Sequence, residues 1–236
     1  MRRVSIGIVL AAVLLVGCFC GILLVFFGHT GPVMDAAGRY ASRAVAETGA
    51  VNLVSAIYLN YRLFDTLFEI FVFSVAVLGV RFYLVGRSEE EAVERVPESQ
   101  VIRTSADLLF PLILLLGIYL ALFGHLSPGG GFSGGVVAGS GLLLCAVALG
   151  TEAIARRFHE TAFEQLEWII LLAILLLAVF PIVFGLIPLS DLLPHGRTGS
   201  LMSGGTILIY NLLIGLKVFI GTWVIIYYFL RHRGEV

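Results

Sequence analysis

Apolar residues in this chain neither alternate nor keep to one helical face. They run almost unbroken through six stretches, at about 5–27, 63–85, 108–124, 132–150, 168–189 and 206–230. A helix needs about 20 such residues to cross a bilayer core. Each stretch is therefore predicted to be a transmembrane helix, and the fold all-α and polytopic. Continuous runs argue against a β-barrel, whose strands alternate. The third stretch is short and ends at Gly124–His125, the fourth is rich in glycine, and the sixth contains Lys217. Pro181 and Pro188 predict a bend or an early end in the fifth.

The opening MRRVSIGIVLAAVLLVGCFCG has the basic end and apolar run of a signal peptide. The run continues to Phe27 without a clear small-residue cleavage site, so a retained first helix is expected. Basic residues orient the spans. With both termini cytoplasmic, ten arginines fall on the cytoplasmic side and four (Arg39, Arg43, Arg62 and Arg197) on the other. A five-span arrangement would break that asymmetry.

Between the spans, Pro32 could open a helix, and DAAGRYASRAVAETGA reads as an interfacial helix. Residues 52–61 are again mostly apolar and could lengthen the second span. GRSEEEAVERVPESQVIR, residues 86–103, is a charged cytoplasmic linker. It divides the chain into a two-span part, 1–85, and a four-span part, 104–236.

Composition agrees with this picture. Of 236 residues, 59% are hydrophobic and only 13% charged, against about 25% charged in soluble domains; mean hydropathy is +1.01. A net charge of -1 gives no argument for nucleic-acid binding. Cys18, Cys20 and Cys145 lie in apolar runs and read as buried small hydrophobes. No metal-ligand spacing, catalytic triad or phosphate-binding motif appears, and no cofactor is expected in this chain.

Charges within spans carry the functional reading, because an unpaired charge in a bilayer is costly. Asp65 and Glu69 share a helical face, and Arg62 reaches the same side. Glu69 lies about 9 Å beyond Leu63 along a helix, deep enough for partial desolvation yet near water. The group suits an ion relay; an anchor, with Arg62 and Asp65 paired at the interface, is the alternative. Lys217 either pairs with an acid or carries a proton. His125 reads as a helix-end cap or a relay. Pro128, Gly129, Gly130, Gly131, Gly134 and Gly135 predict a tight re-entry turn followed by a surface for close helix contact. Arg103 and Asp107 could pair at the cytoplasmic boundary. Glu160, Glu164 and Glu167 have the spacing to face one partner, although a solvated surface explains them equally.

Two stretches carry a family resemblance. GHLSPGGGFSGGVVAG at 124–139, Arg103–Thr104 before an apolar helix, and NLLIGLKVFIG at 211–221 resemble the MnhB family, the B subunit of multi-subunit Mrp-type Na+/H+ antiporters. NLVSAIYLNYRLFDTLFEIFVFSVAVLGV at 52–80 is similar to the last part of the large A subunit, centred on Arg62, Asp65, Thr66 and Glu69. That pattern has glycine before its glutamate, where this chain has Phe68. The resemblance implies an accessory module of the inner cell membrane that helps conduct Na+ or H+. Its implied partners are antiporter-like subunits or, in energy-converting relatives, hydrogenase-like redox subunits. It adds weight to Asp65 and Glu69 as ion-path residues, and to His125 and the glycine turn as pathway or structural elements. The antiporter-like core is absent, so the chain alone should not be a complete antiporter. A purely structural scaffold is the alternative.

Overall fold

A computed structural model describes residues 13, 16–21, 36–85, 99–150, 154 and 160–231. The regular elements among the described residues are all helical, with no strand. The helices are α1 (Ala36–Thr48), α2 (Leu53–Ala56), α3 (Leu63–Val85), α4 (Gln100–Leu122), α5 (Gly131–Leu149), α6 (Glu160–Val179) and α7 (Thr206–Arg231). A π-turn over Ile57–Tyr61 joins α2 to α3, and a 3-10 turn over Phe180–Phe184 follows α6. Among the described residues, five helices are long and apolar enough to cross a membrane: α3, α4, α5, α6 with its 3-10 extension, and α7. Most of the expected span at 5–27, with most of the 86–103 linker, lies outside the described residues. Residues 16–21 are helical, and Phe19 packs edge-on against Phe68 and Phe71 at 4.7 and 4.8 Å. Phe68 thus supplies a contact to the helical residues 16–21.

Two helix starts differ from expectation. α4 begins at Gln100 rather than 108, capped by Ser99, whose Oγ accepts from Ile102 N at 3.4 Å. Gln100–Arg103 of the expected linker form its first turn. α6 begins at Glu160 rather than 168. Hydropathy marks the lipid-crossing part of a helix, whereas polar first turns continue the same backbone. Where proline predicted an early end, α6 stops at Val179 and passes through Pro181 to a left-handed Gly185.

The segment 52–62 is interrupted rather than a simple extension of α3. Arg62 N bonds back five residues to Ile57 O at 2.7 Å, and Thr66 Oγ1 donates to Tyr58 O at 2.5 Å. That hydroxyl satisfies a carbonyl near the break.

Glycines set the packing of α5. Gly134 and Gly141 meet α4, while Gly131, Gly135 and Gly139 meet α7. A Cβ on Gly134 would lie 2.5 Å from Gly117 O, and one on Gly135 2.5 Å from Gly215 O. Small residues let backbones approach where lipid supplies no hydrophobic drive between helices. A second set of contacts joins the two halves. Leu63, Leu67, Ile70, Val77 and Leu84 of α3 share one core with Ile170, Ile174, Ile214 and Val218 of α6 and α7.

Candidate ion passage

Lys217 lies near the middle of α7 and is fully buried. Its ammonium pairs with Glu167 of α6, itself largely buried, and lies 5.6 Å from the centre of the Phe73 ring on α3. Three helices thus converge on one cation. One helical turn nearer the start of α6, Glu164 pairs with Arg81 of α3 at 2.7 Å. The acidic face read along α6 therefore divides between two cations on different helices. At depth, each pair cancels charge that neither residue could carry alone.

Arg62 and Asp65 form an ion pair, both sides exposed. Glu69, a turn deeper, is exposed on the flank of α3 and forms no hydrogen bond or ion pair among the described residues. It does not meet Lys217, whose carboxylate partner is Glu167. Arg103 and Asp107 are also exposed, with no ion pair between them.

The glycine-rich segment makes a tight turn between α4 and α5. Gly130 N returns to Leu120 O at 3.0 Å. Gly130 has φ 146°, and any Cβ there would strike the Tyr58 hydroxyl, so its side chain cannot grow. Pro128 is exposed at the tip. Asn52 fastens this turn to the first half: its Nδ2 donates to Gly124 O at 2.7 Å and to Ser127 O at 2.9 Å. Its own N–H donates to His125 O at 2.9 Å. Asn211 holds the other side, with Oδ1 accepting from Gly131 N at 2.9 Å and from the Tyr58 hydroxyl at 3.1 Å.

His125 is fully buried. Burial lowers its pKa, opposed by the nearby backbone of Ser200, Leu201 and Leu122. Burial raises that of Tyr58 against the Ser55 hydrogen bond, and the Glu69 charge adds to the rise. Tyr58 therefore remains a proton donor to Asn211. Beside it, Tyr61 donates to Glu47 at 2.7 Å and is pushed up to about 12, chiefly by burial and then by that carboxylate. The same bond holds Glu47 below the usual carboxylate range.

Asp191 is a residue that sequence reasoning missed. Its Oδ1 accepts from Thr206 N at 3.0 Å and from the Thr206 hydroxyl, while Oδ2 meets His195 Nε2 at 2.8 Å. It caps α7 from fifteen residues upstream, where no local motif announces it. Asp191→Ala is expected to cost about 1–2 kcal/mol, as loss of a helix cap does. Asp191→Asn, which keeps an acceptor, should cost less. Thermal unfolding of the purified chain in detergent checks the order, and equal stability of Asp191→Ala and the parent would refute the cap.

Among the described residues no group of His, Cys, Asp and Glu could hold a metal ion, and Cys18, Cys20 and Cys145 are free thiols.

Residues 101–224 match a family described as a domain related to the MnhB subunit of Na+/H+ antiporters. An uncharacterised protein of Methanocaldococcus jannaschii is 28% identical over 194 residues, 72% of this chain and 73% of that protein. A probable K+/H+ antiporter A/B protein of Rhizobium meliloti is 28% identical over 182 residues, 66% of this chain but only 18% of that protein. Among solved structures, a chain of the membrane-bound sulfane sulfur reductase, an archaeal respiratory membrane complex, superposes with TM-score 0.74 and 31% identity, covering 94% of this chain and 97% of that one. A chain of the Mrp complex from Dietzia sp. shares the fold, with TM-score 0.65 and 24% identity, over 100% of this chain and 27% of that chain.

Proposed function

Since the chain belongs to the family of domains related to the MnhB subunit of Na+/H+ antiporters, we propose that it is an accessory subunit that helps move Na+ or H+. The complex would be a multi-subunit antiporter or a related ion-translocating respiratory complex, with this subunit in the inner cell membrane. In this reading six helices span the bilayer, both termini are cytoplasmic, and the chain performs no catalysis alone. Its neighbours are antiporter-like membrane subunits and, in a respiratory complex, hydrogenase-like redox subunits. The names of the K+/H+ antiporter protein and the sulfane sulfur reductase support these two settings.

The observation that carries the reading is Glu69. An exposed carboxylate two turns into a lipid-crossing helix, with no partner in its own described chain, is too costly to leave against lipid. A neighbouring subunit or a watered path would meet it. Glu69 would then take up and release the ion, with Asp65 at the mouth. Lys217, poised against Glu167, would respond to charge arriving nearby, and His125 would be a second titrating point.

Glu69→Gln is expected to leave the complex assembled while lowering Na+/H+ exchange or proton pumping in membrane vesicles about tenfold or more, the lower end of acid–base contributions being larger still. Asp65→Asn and Lys217→Gln should be measured separately. Undiminished transport in all three would favour the scaffold reading, which the closed Arg62–Asp65 and Lys217–Glu167 pairs support.

A further inference from the structure

Asp107 lies two turns into α4, exposed and with no hydrogen bond or ion pair among the described residues. Four residues on, Pro111 sits inside the same helix. Proline has no N–H to donate, so the Asp107 carbonyl lacks the bond that an interior helix carbonyl receives. That carbonyl lies between positions 107 and 111 on one side of the helix. Asp107, Leu108 and Pro111 are all exposed, so it opens onto the same flank as the carboxylate. Two acceptors without donors thus face one way.

The place belongs to the lipid-crossing length of α4. The apolar run 108–124 is about 25 Å long as a helix, short of a hydrocarbon core of about 30 Å. The turn that holds Asp107 makes up the rest. The neighbouring helix agrees. Gly141 of α5 faces Phe110 and Ile113 of α4. Following that antiparallel register, Asp107 is level with Cys145 and Ala146, and α5 stays apolar to Leu149.

Lipid tails satisfy neither a carboxylate nor a bare carbonyl. α4 packs chiefly on α5 and α7, and its outward flank is otherwise apolar, with Leu108 67%, Leu112 57% and Leu115 63% exposed. Arg103, one turn nearer the helix start, is exposed and leaves Asp107 unpaired. An apolar helix with one cationic donor matches this flank. An ammonium or guanidinium has donors for both acceptors, and its charge answers the carboxylate.

We propose that the α4 flank around Asp107 and Pro111 docks a transmembrane helix of a neighbouring subunit, which carries a lysine or arginine at the depth of Asp107. The contact rests on the reading of the chain as a subunit of a membrane complex. It is separate from Glu69, which lies near the other end of the bundle, where Asn52 before α3 holds Gly124 after α4.

Photocross-linking in native membranes that hold the whole complex tests this. A benzophenone amino acid replaces Leu108, and mass spectrometry identifies the joined peptides. The expected product links position 108 to a membrane helix of another subunit that contains a lysine or arginine. Asp107→Asn should lower its yield roughly tenfold, as loss of a charged hydrogen bond does. Pro111→Ala gives the Asp107 carbonyl an N–H of its own and should lower the yield about threefold. Alanine is the better helix former, so loss of α4 does not explain that fall. Yields unchanged in both variants, or a joined helix without a basic residue, would overturn the pairing. Lipid adducts alone, in membranes from which other subunits co-purify with the chain, would refute the contact and leave the subunit reading standing. Co-purification of no other subunit would sink both.

Discussion

Lys217→Ala is expected to destabilise the bundle by about 3–5 kcal/mol, the usual cost of breaking a buried ion pair from one side. The reason lies in what remains. Glu167 is 8% exposed, and without Lys217 its carboxylate has lost the ammonium that cancelled it. Such a loss is a large share of the roughly 5–15 kcal/mol that holds a folded domain together. Glu167→Ala should cost a similar amount by stranding the lysine. The double variant Lys217→Met with Glu167→Leu should recover most of the loss, since apolar replacement of both partners is often neutral or better. Thermal unfolding of the detergent-solubilised chain, followed by size-exclusion, reads all three. Should the double variant be as unstable as the sum of the singles, the pair is not the source of the effect. The double variant separates stability from transport as well. A complex that assembles with it but no longer moves ions would assign Lys217 more than a holding role.

Gly135→Val is the second large effect. Its Cβ would stand 2.5 Å from Gly215 O and 2.7 Å from Val218 Cβ. Backbone cannot yield as the end of a flexible side chain can, so α5 and α7 must separate. Overpacking commonly costs about 1–3 kcal/mol; a clash between two backbones belongs at the upper end or beyond it. Gly79→Ala on α3 is the matched control, because nothing lies within 4 Å of its Cβ position. It should be neutral or gain up to about 1 kcal/mol from the better helix former. Equal thermal stability of Gly135→Val and Gly79→Ala would show that the α5–α7 contact is not glycine-dependent.

Five of the six expected spans were legible because lipid demands length and continuous apolarity, and both are written along the chain. The polar first turns of α4 and α6 were not, since a hydropathy run records depth and not hydrogen bonding. Ser99 at the start of α4 was a readable cap. The two glycine edges of α5 also had a signal. Gly131, Gly135 and Gly139 are four apart, and Gly134 and Gly141 seven apart, so each set returns to its own face of a helix. Which helix each face meets depends on tertiary packing.

At the candidate site, the Arg62–Asp65 pair was local and therefore readable. The choice of Glu167 over Glu160, Glu164 or Asp65 for Lys217 was not, because it depends on how α6 and α7 are rotated against each other. His125 looked like a helix-end residue because its neighbours in sequence are turn formers. What buries it is Gly204, far along the chain, whose missing side chain admits the ring. The π-turn before Arg62 had no glycine or proline to mark it.

The buried lysine has a consequence for biosynthesis. The partners of α7 that hold its polar residues (Phe73, Gly131 and Glu167) all precede it in the chain. The ribosome therefore delivers Lys217 after its acid has been made. A lysine at the centre of a helix opposes insertion by about 2.5–3.5 kcal/mol, but α7 is otherwise strongly apolar and enters a membrane where a carboxylate is already present. The order of synthesis spares the charge a period alone in lipid.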